Sequence, residues 1–177
     1  MMMVSLGIGT VLAVTLIVVV SILTGGHVTN GTSQPPNQLV GKHVASFSLA
    51  GLNGGTIAAP WKSGHPAVLI FFASWCGPCQ KEMPEVAAYL RHHNEGSVEV
   101  IGIDSHDTRG PAMAFDQKSG VAFRVVFDPN LKVANIFNLA AIPDTAFVNA
   151  KGVVTQIYSG AIPASQLAKG IANLRVS

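Results

Sequence analysis

The stretch Trp75-Cys76-Gly77-Pro78-Cys79 decides the fold of this chain. The chain has only two cysteines in 177 residues, and both lie in this stretch. A disulfide between them would close a very small ring, to which the chain-entropy model gives only about 2 kcal/mol, against roughly 3 kcal/mol for a 15-residue loop. Because a structural cross-link normally joins distant segments, the close spacing indicates a redox pair that opens and closes.

The residues on either side of this motif predict a strand before it and a helix after it. Ala67–Ala73 is a continuous apolar run, typical of a strand that is buried on both faces. Gly77–His93 has the pattern of a helix, so Cys76 is expected at a helix N-terminus, where free N–H groups and the helix dipole favour the reactive thiolate. We therefore expect Cys76 to be the exposed attacking nucleophile and Cys79, one turn further in, to be the resolving thiol.

The rest of the chain alternates strands with helices. Further strands are predicted at 47–49, 56–58, 98–103, 125–127, 145–148 and 153–157. Further helices are predicted at 111–118, 131–137 and 164–174. Strands that alternate with helices imply a three-layer α/β domain.

The first 24 residues are predicted to be a transmembrane anchor. Residues 1–23 carry no charged side chain, and as a helix they would extend roughly 34 Å, enough to cross the hydrocarbon core of a bilayer. The alternative is a cleaved signal peptide, but the segment lacks a basic beginning, and Leu23-Thr24-Gly25-Gly26 is a poor cleavage site. Residues 25–38 are rich in Gly, Thr, Asn, Ser and Pro, which predicts a flexible linker before a folded domain at 39–177.

Other uses of the same cysteine spacing fit the residues less well. A zinc site would need two more ligands, and the nearest downstream histidines, His92 and His93, adjoin each other at a predicted helix end. Covalent haem attachment requires a histidine after the second cysteine, where this chain has Gln80. We therefore predict no metal site, and no cofactor other than the Cys76–Cys79 disulfide itself.

The charge of the chain excludes one class of partner. Its net charge is +2, only 11% of its residues are charged, and the basic residues form no block. A nucleic-acid binder needs clustered Lys and Arg side chains to displace counterions from phosphates. We therefore expect no nucleic acid among the partners.

Three motifs together resemble the TlpA/ResA/DsbE-like branch of the thioredoxin family, the membrane-anchored extracytoplasmic thioredoxins. Cys76-x-x-Cys79-x-x-Glu82-x-Pro84 matches the extended redox motif of that branch, and Ala141–Phe147 resembles its cis-proline segment. Gly41–Leu49 resembles its N-terminal strand entry. The resemblance covers roughly 40–177 and implies a thioredoxin fold, a central mixed sheet flanked by helices.

The resemblance implies a contact surface for substrate around the cysteines. Pro143 would be cis, would face the disulfide, and would offer no N–H group there; the alternative is an ordinary trans proline in a turn. The backbone of Ile142 would be free to pair with an extended substrate segment, as an added strand does. Trp75, Gly77 and Pro78 would complete an apolar patch around the sulfur atoms.

One acid of thioredoxin itself is missing from this chain. Thioredoxin carries a buried aspartate six residues before its first cysteine, where this chain has Ile70. The acid of the resembling branch is Glu82, which could relay the proton of Cys79 if burial raises its pKa toward neutrality. The alternative is that Glu82 is a solvated acid of the first helical turns, stabilised by the helix dipole.

The resemblance and the predicted anchor together imply a catalytic domain outside the cytoplasm, on a single-pass protein of the cell membrane. As a reductase, the chain would receive electrons from a membrane thiol–disulfide carrier and reduce disulfides of exported proteins or of apocytochrome c during cytochrome c biogenesis. As an oxidase, it would donate its disulfide to secreted proteins. Gly77-Pro78 offers no side-chain donor or charge to the Cys76 thiolate, which favours the reducing direction.

Two further classes of protein, a peroxiredoxin and a pure binding module, fit the sequence less well. A peroxiredoxin has a threonine three residues before its cysteine, where this chain has Ala73, and a pure binding module would not need two thiols.

Asp104-Ser105-His106-Asp107 could be drawn as a metal cluster. Because it follows a predicted strand, we interpret it as a polar loop beside the active-site end of the sheet.

Overall fold

The structure is a computed structural model that describes residues 38–176. The predicted anchor at 1–24 and the predicted linker, apart from its last residue, lie outside the described residues. Within 38–176, no helix is long and apolar enough to cross a membrane.

The described chain alternates strands and helices as the sequence predicts. Its strands are β1 (Ser48–Ala50), β2 (Thr56–Ala58), β3 (Ala67–Phe72), β4 (Glu99–Ser105), β5 (Arg124–Asp128), β6 (Asp144–Val148) and β7 (Val154–Ser159). Its α-helices are α1 (Gly77–His92), α2 (Arg109–Ser119), α3 (Lys132–Ile136) and α4 (Ala164–Leu174), and a 3-10 helix covers Pro60–Ser63.

The central sheet is mixed and has the strand order β5-β4-β3-β6-β7. β3 pairs parallel with β4, which pairs parallel with β5, whereas β6 is antiparallel to both β3 and β7. β1 and β2 form a separate two-stranded antiparallel sheet. Every residue of the central strand β3 is buried, as its continuous apolar run predicts.

Two apolar clusters cover the two faces of the sheet. Phe72 of β3 packs in the first cluster with Met83 of α1 and Leu167 of α4. Phe71 of β3 packs in the second cluster with Val133 of α3, on the opposite face. The alternation of side chains along a strand sends Phe71 and Phe72 to opposite sides, so helices cover both faces and the three-layer prediction is confirmed.

The predicted elements differ from the observed ones mainly at their ends. α1 ends at His92, one residue before the predicted end. α2 begins at Arg109, two residues before the predicted start at Pro111. Proline is tolerated within the first turn of a helix because the N–H groups there have no partner inside the helix, so Pro111 does not mark the first helical residue.

Gly170 of α4 leaves space that a buried aromatic ring fills. A Cβ atom at this position would lie 2.1 Å from Cε1 and 2.4 Å from Cζ of Phe147, which is fully buried in β6. We expect Gly170→Ala to destabilise the fold, because overpacking of a core usually costs about 1–3 kcal/mol. The clash outweighs the gain of about 1 kcal/mol that alanine brings to a helix interior.

Urea denaturation of the full chain in detergent micelles measures this effect, with Gly110→Ala as the matched control. Gly110 also lies in a helix, and a Cβ atom there would meet nothing within 4 Å. The control is expected to leave the denaturation midpoint unchanged or to raise it slightly. Equal midpoints for the two variants would show that α4 shifts away from Phe147 without cost.

Candidate active site

The two cysteines form a disulfide at the N-terminus of α1. Cys76 is the N-cap residue of this helix, and its sulfur accepts a hydrogen bond from the backbone N–H of Cys79 at 3.2 Å. The Cα atoms of the pair are 5.2 Å apart. β3 ends at Phe72, only four positions before Cys76, so the strand and the helix together fix the position of the attacking sulfur. The predicted helix N-terminal position of Cys76 is confirmed.

The predicted exposure of Cys76 is wrong for the disulfide form. Cys76 is only 4% exposed, and Cys79 is fully buried. The order of exposure is the predicted one, but both sulfur atoms belong to the apolar cluster beneath α1 because the disulfide holds them together there. Trp75 beside them is 59% exposed, so the accessible apolar surface at this point is the indole ring.

The Ile142–Pro143 peptide bond is cis, as the resemblance predicts. Pro143 is buried and directly precedes β6, the antiparallel neighbour of β3. Its carbonyl oxygen accepts a hydrogen bond from the backbone N–H of Gly160 at 2.9 Å. Ile142 is half-buried and packs against both apolar clusters, while Gly77 and Pro78 are exposed at the start of α1.

Two grooves flank Trp75. One has a volume of about 210 Å³ and is lined by Trp75, His106, Leu131 and residues 139–142. The other has a volume of about 420 Å³ and is lined by Trp75, His106, Thr108, Pro111 and Pro129, with Ser74 and Asp107. The exposed indole therefore stands between two open, largely apolar surfaces.

Glu82 is a buried acid on the same helix face as Cys79. The two residues are three positions apart, which places their Cβ atoms about 5–6 Å apart on a helix. Glu82 is 3% exposed, and its Oε1 accepts a hydrogen bond from the backbone N–H of Ile162 at 2.6 Å. Among the described residues, its Oε2 is buried with no hydrogen-bond donor. The alternative of a solvated Glu82 is therefore wrong.

The pKa of Glu82 lies close to neutrality. The pKa of its carboxyl is raised to about 7, chiefly by burial, which acts against the lowering effect of the Ile162 N–H, and to a smaller extent by the negative charges of Asp144 and Glu85. An acid with such a pKa changes its protonation state within the physiological range, as a group that relays protons needs to do.

A second buried acid, Asp144, lies beside this site and was not singled out from the sequence. It follows Pro143, and burial raises the pKa of its carboxyl against the lowering effect of donors at Ser159 and Gly160. The segment 159–162 therefore supplies donors to both Asp144 and Glu82. An acid directly after the predicted cis proline, at the start of a buried strand, is the signal that could have revealed it.

The polar cluster at 104–107 is only partly a loop. Asp104 and Ser105 are buried residues of β4, and the loop begins at His106. The His106 carbonyl accepts a hydrogen bond from the Trp75 indole N–H at 2.9 Å, so this loop does lie beside the active site. No group of three or more His, Cys, Asp or Glu side chains within 38–176 is placed to hold a metal ion.

Comparison with known families agrees with this geometry. The sequence profile of the AhpC/TSA family matches residues 40–157. The chain belongs to the AhpC/TSA family. The match extends from the entry to β1 through the redox motif and the cis proline to β7, so it includes the site residues described above.

Relatives of this AhpC/TSA chain are enzymes of thiol–disulfide exchange. The chain is 28% identical to the thiol-disulfide oxidoreductase ResA of Bacillus subtilis over 127 residues, which cover 72% of this chain and 71% of ResA. It is 24% identical to ResA of Geobacillus kaustophilus over 147 residues, which cover 83% and 84% of the two chains. Together with the Cys76–Cys79 disulfide, these relatives show that the chain is a thiol–disulfide oxidoreductase.

Solved structures confirm the thioredoxin fold with its mixed sheet. The DsbF protein of Mycobacterium tuberculosis (MTB) superposes with a TM-score of 0.66 at 29% identity, over 72% of this chain and 94% of DsbF. StoA of Bacillus subtilis superposes with a TM-score of 0.65 at 25% identity, over 71% of this chain and 96% of StoA.

Proposed function

We propose that this chain is an extracytoplasmic reductase that opens disulfides of exported proteins, including that of apocytochrome c. The observation that carries the proposal is the pairing of a helix-capping disulfide with a buried acid one turn below it. Cys76 and Cys79 supply the electron pair, and Glu82, with a pKa of about 7, accepts the proton of the buried Cys79 thiol. The similarity to ResA supports the assignment.

The first step of the reaction uses the reduced protein. The Cys76 thiolate attacks one sulfur of the substrate disulfide, so that a Cys76–substrate disulfide forms and the other substrate sulfur leaves as a thiolate. The helix N-terminus favours the thiolate because its N–H groups, such as that of Cys79, point at the sulfur.

The second step releases the substrate. The Glu82 carboxylate takes the proton of the Cys79 thiol, and the Cys79 thiolate then attacks the Cys76 sulfur. The Cys76–Cys79 disulfide forms, and the second substrate sulfur leaves as a thiolate, which gains a proton from solvent. Two electrons have then moved from the protein dithiol to the substrate, which is reduced.

The substrate is proposed to bind as an extended segment along the cis-proline loop. Within the described residues, the backbone N–H and C=O of Ile142 make no hydrogen bond, so both remain available for pairing with another strand. Trp75, Gly77, Pro78 and Pro143 are proposed to form the apolar surroundings of the disulfide, and the 210 Å³ groove, lined by Trp75 and Ile142, would extend this surface.

The proposal also includes the side of the membrane on which the domain lies and the source of its electrons. Residues 1–24 are proposed to be a single transmembrane helix that holds the domain on the outer side of the cell membrane, where disulfides form and persist. A membrane thiol–disulfide carrier would return the Cys76–Cys79 disulfide to the dithiol. No other cofactor is proposed, because the dithiol itself carries the electron pair.

The reduction potential of the full chain in detergent micelles tests the direction of electron flow. We expect a value near that of thioredoxin, about −270 mV, because Gly77-Pro78 places no charge or donor beside the Cys76 sulfur. Equilibration with dithiothreitol or glutathione buffers, followed by thiol counting, measures it. A potential above roughly −150 mV would overturn the reductase assignment in favour of a disulfide-donating oxidase.

A further inference from the structure

Four aspartates lie near one another around β4 and β5, and three of them have N–H donors. Asp128 accepts hydrogen bonds from three backbone N–H groups at the start of α3. Asp116 accepts one from Asn53 Nδ2 at 3.0 Å. Asp107 accepts two, at 2.6 and 2.7 Å, both from backbone N–H groups. The fourth, Asp104, has none among the described residues.

Asp104 is also the most deeply buried of the four. It is fully buried in β4, opposite Phe72 of β3 and Phe127 of β5. The Asp107 carboxyl lies within hydrogen-bonding reach of it. Two carboxylates cannot share a hydrogen bond unless one of them carries a proton, because the ionised form has no donor. The group without N–H donors, Asp104, is therefore the one that holds the proton.

Asp107 connects this acid pair to the active-site loop. Its Oδ2 accepts a hydrogen bond from the backbone N–H of Ser74 at 2.6 Å, two residues before Cys76. The Ser74 carbonyl in turn accepts one from the Gln80 side chain of α1 at 2.8 Å, and the Cys76 N–H donates to Ala73 at 3.2 Å. The bond to Asp107 thus fixes one end of the short turn that carries the attacking sulfur.

We propose that Asp104 is a positioning residue whose protonated carboxyl donates a hydrogen bond to Asp107, and that Asp107 thereby holds Ser74 and the turn that leads to Cys76. The proposal rests on the function proposed for Cys76. Asp104 and Asp107, which both lie outside the dithiol, would then keep the attacking sulfur in place. When Asp104 loses its proton, both carboxyls are negative, and repulsion weakens the hold of Asp107 on Ser74.

The surroundings of Asp104 set the pH at which its carboxyl loses the proton. Burial, together with the negative charges of Asp107, Asp116 and Asp128, raises the pKa of Asp104 to about 8. These charges come from the loop after β4, from α2 and from β5. β3 presents only Phe72 at this register position, and the Arg109 guanidinium lies 4.5 Å from the centre of the Phe127 ring.

Nuclear magnetic resonance of the oxidised, full-length chain in detergent micelles tests the proposal. In this form the cysteines are joined and do not titrate. We expect the Ser74 amide proton to change its chemical shift in a single step centred near pH 8. Asp104→Asn is expected to abolish the step, because an amide N–H donates to Asp107 at every pH. Asp104→Leu, which has neither a donor nor a charge, is also expected to abolish the step, with a constant Ser74 shift that differs from that of Asp104→Asn because Asp107 then lacks its donor.

Two further variants serve as controls, because other buried acids titrate in the same range. Asp116→Asn removes an acid of the same cluster, and Glu82→Gln removes the acid beside Cys79, yet among the described residues neither is hydrogen-bonded to Ser74. Both are expected to keep the step, with at most a shifted midpoint. A step that persists unchanged in Asp104→Asn, that vanishes in either control, or that is absent from the unsubstituted chain would overturn the proposal. The measurement needs no thiol turnover, so its outcome is independent of the redox titration.

Discussion

Cys76→Ser is expected to abolish the reduction of insulin by the full chain. A serine hydroxyl is not ionised at neutral pH and cannot form a disulfide with the substrate, so the first step has no nucleophile. Removal of a covalent nucleophile lowers turnover by more than about 10³-fold in well-studied enzymes. Precipitation of the insulin B chain in the presence of dithiothreitol measures the rate, corrected for the rate with dithiothreitol alone.

Cys79→Ser is the matched variant, because it removes the other sulfur of the same pair and leaves Cys76 in place. We expect this variant to attack the substrate once and then to remain bound to the substrate, since no thiol is left to resolve the Cys76–substrate disulfide. A non-reducing gel and mass spectrometry of the trapped complex identify the sulfur that forms the bond. Trapping by Cys76→Ser instead of Cys79→Ser would reverse the two assigned roles.

The features that could be predicted from the sequence are those set by neighbouring residues. The run Ala67–Ala73 predicts β3 because a strand buried on both faces must be apolar throughout. The placement of Cys76 at the N-cap follows from the position of that strand and of the helix after it. The cis bond before Pro143 came from the resemblance of 141–147 to a known motif, and not from any property of proline alone.

The features that could not be predicted depend on residues far apart in the chain. Glu82 and Ile162 are separated by 80 positions, and nothing near Glu82 shows that a later loop covers it. The bond from Ser74 to Asp107 crosses 33 positions and depends on the parallel pairing of β3 with β4. The burial of Cys76 in the disulfide form likewise depends on packing between distant elements, which hydrophobic patterns do not report.

Glu82→Gln is expected to slow insulin reduction by about 10²-fold, at the lower end of the range for loss of general acid–base catalysis. Glutamine keeps the size of the side chain and can still accept the Ile162 N–H, but it cannot take the proton of Cys79. The Glu82 carboxyl, with its pKa of about 7, is protonated below this pH and ionised above it. The resolving step needs the ionised form, so the rate of the unsubstituted chain should rise through pH 7.

The pH–rate profile separates this role from a structural one. Glu82→Gln should lose the rise near pH 7 and keep only the rise that comes from ionisation of the thiols at higher pH. Asp144→Asn should move the rise to lower pH, since the Asp144 charge is one of the causes that raise the pKa of Glu82. Glu85→Gln removes an exposed acid whose charge is a smaller cause of the raised pKa of Glu82, so it should keep the rise and move it to lower pH less than Asp144→Asn does. An unchanged profile in Glu82→Gln would mean that Cys79 loses its proton directly to water, and Glu82 would then have no part in resolution.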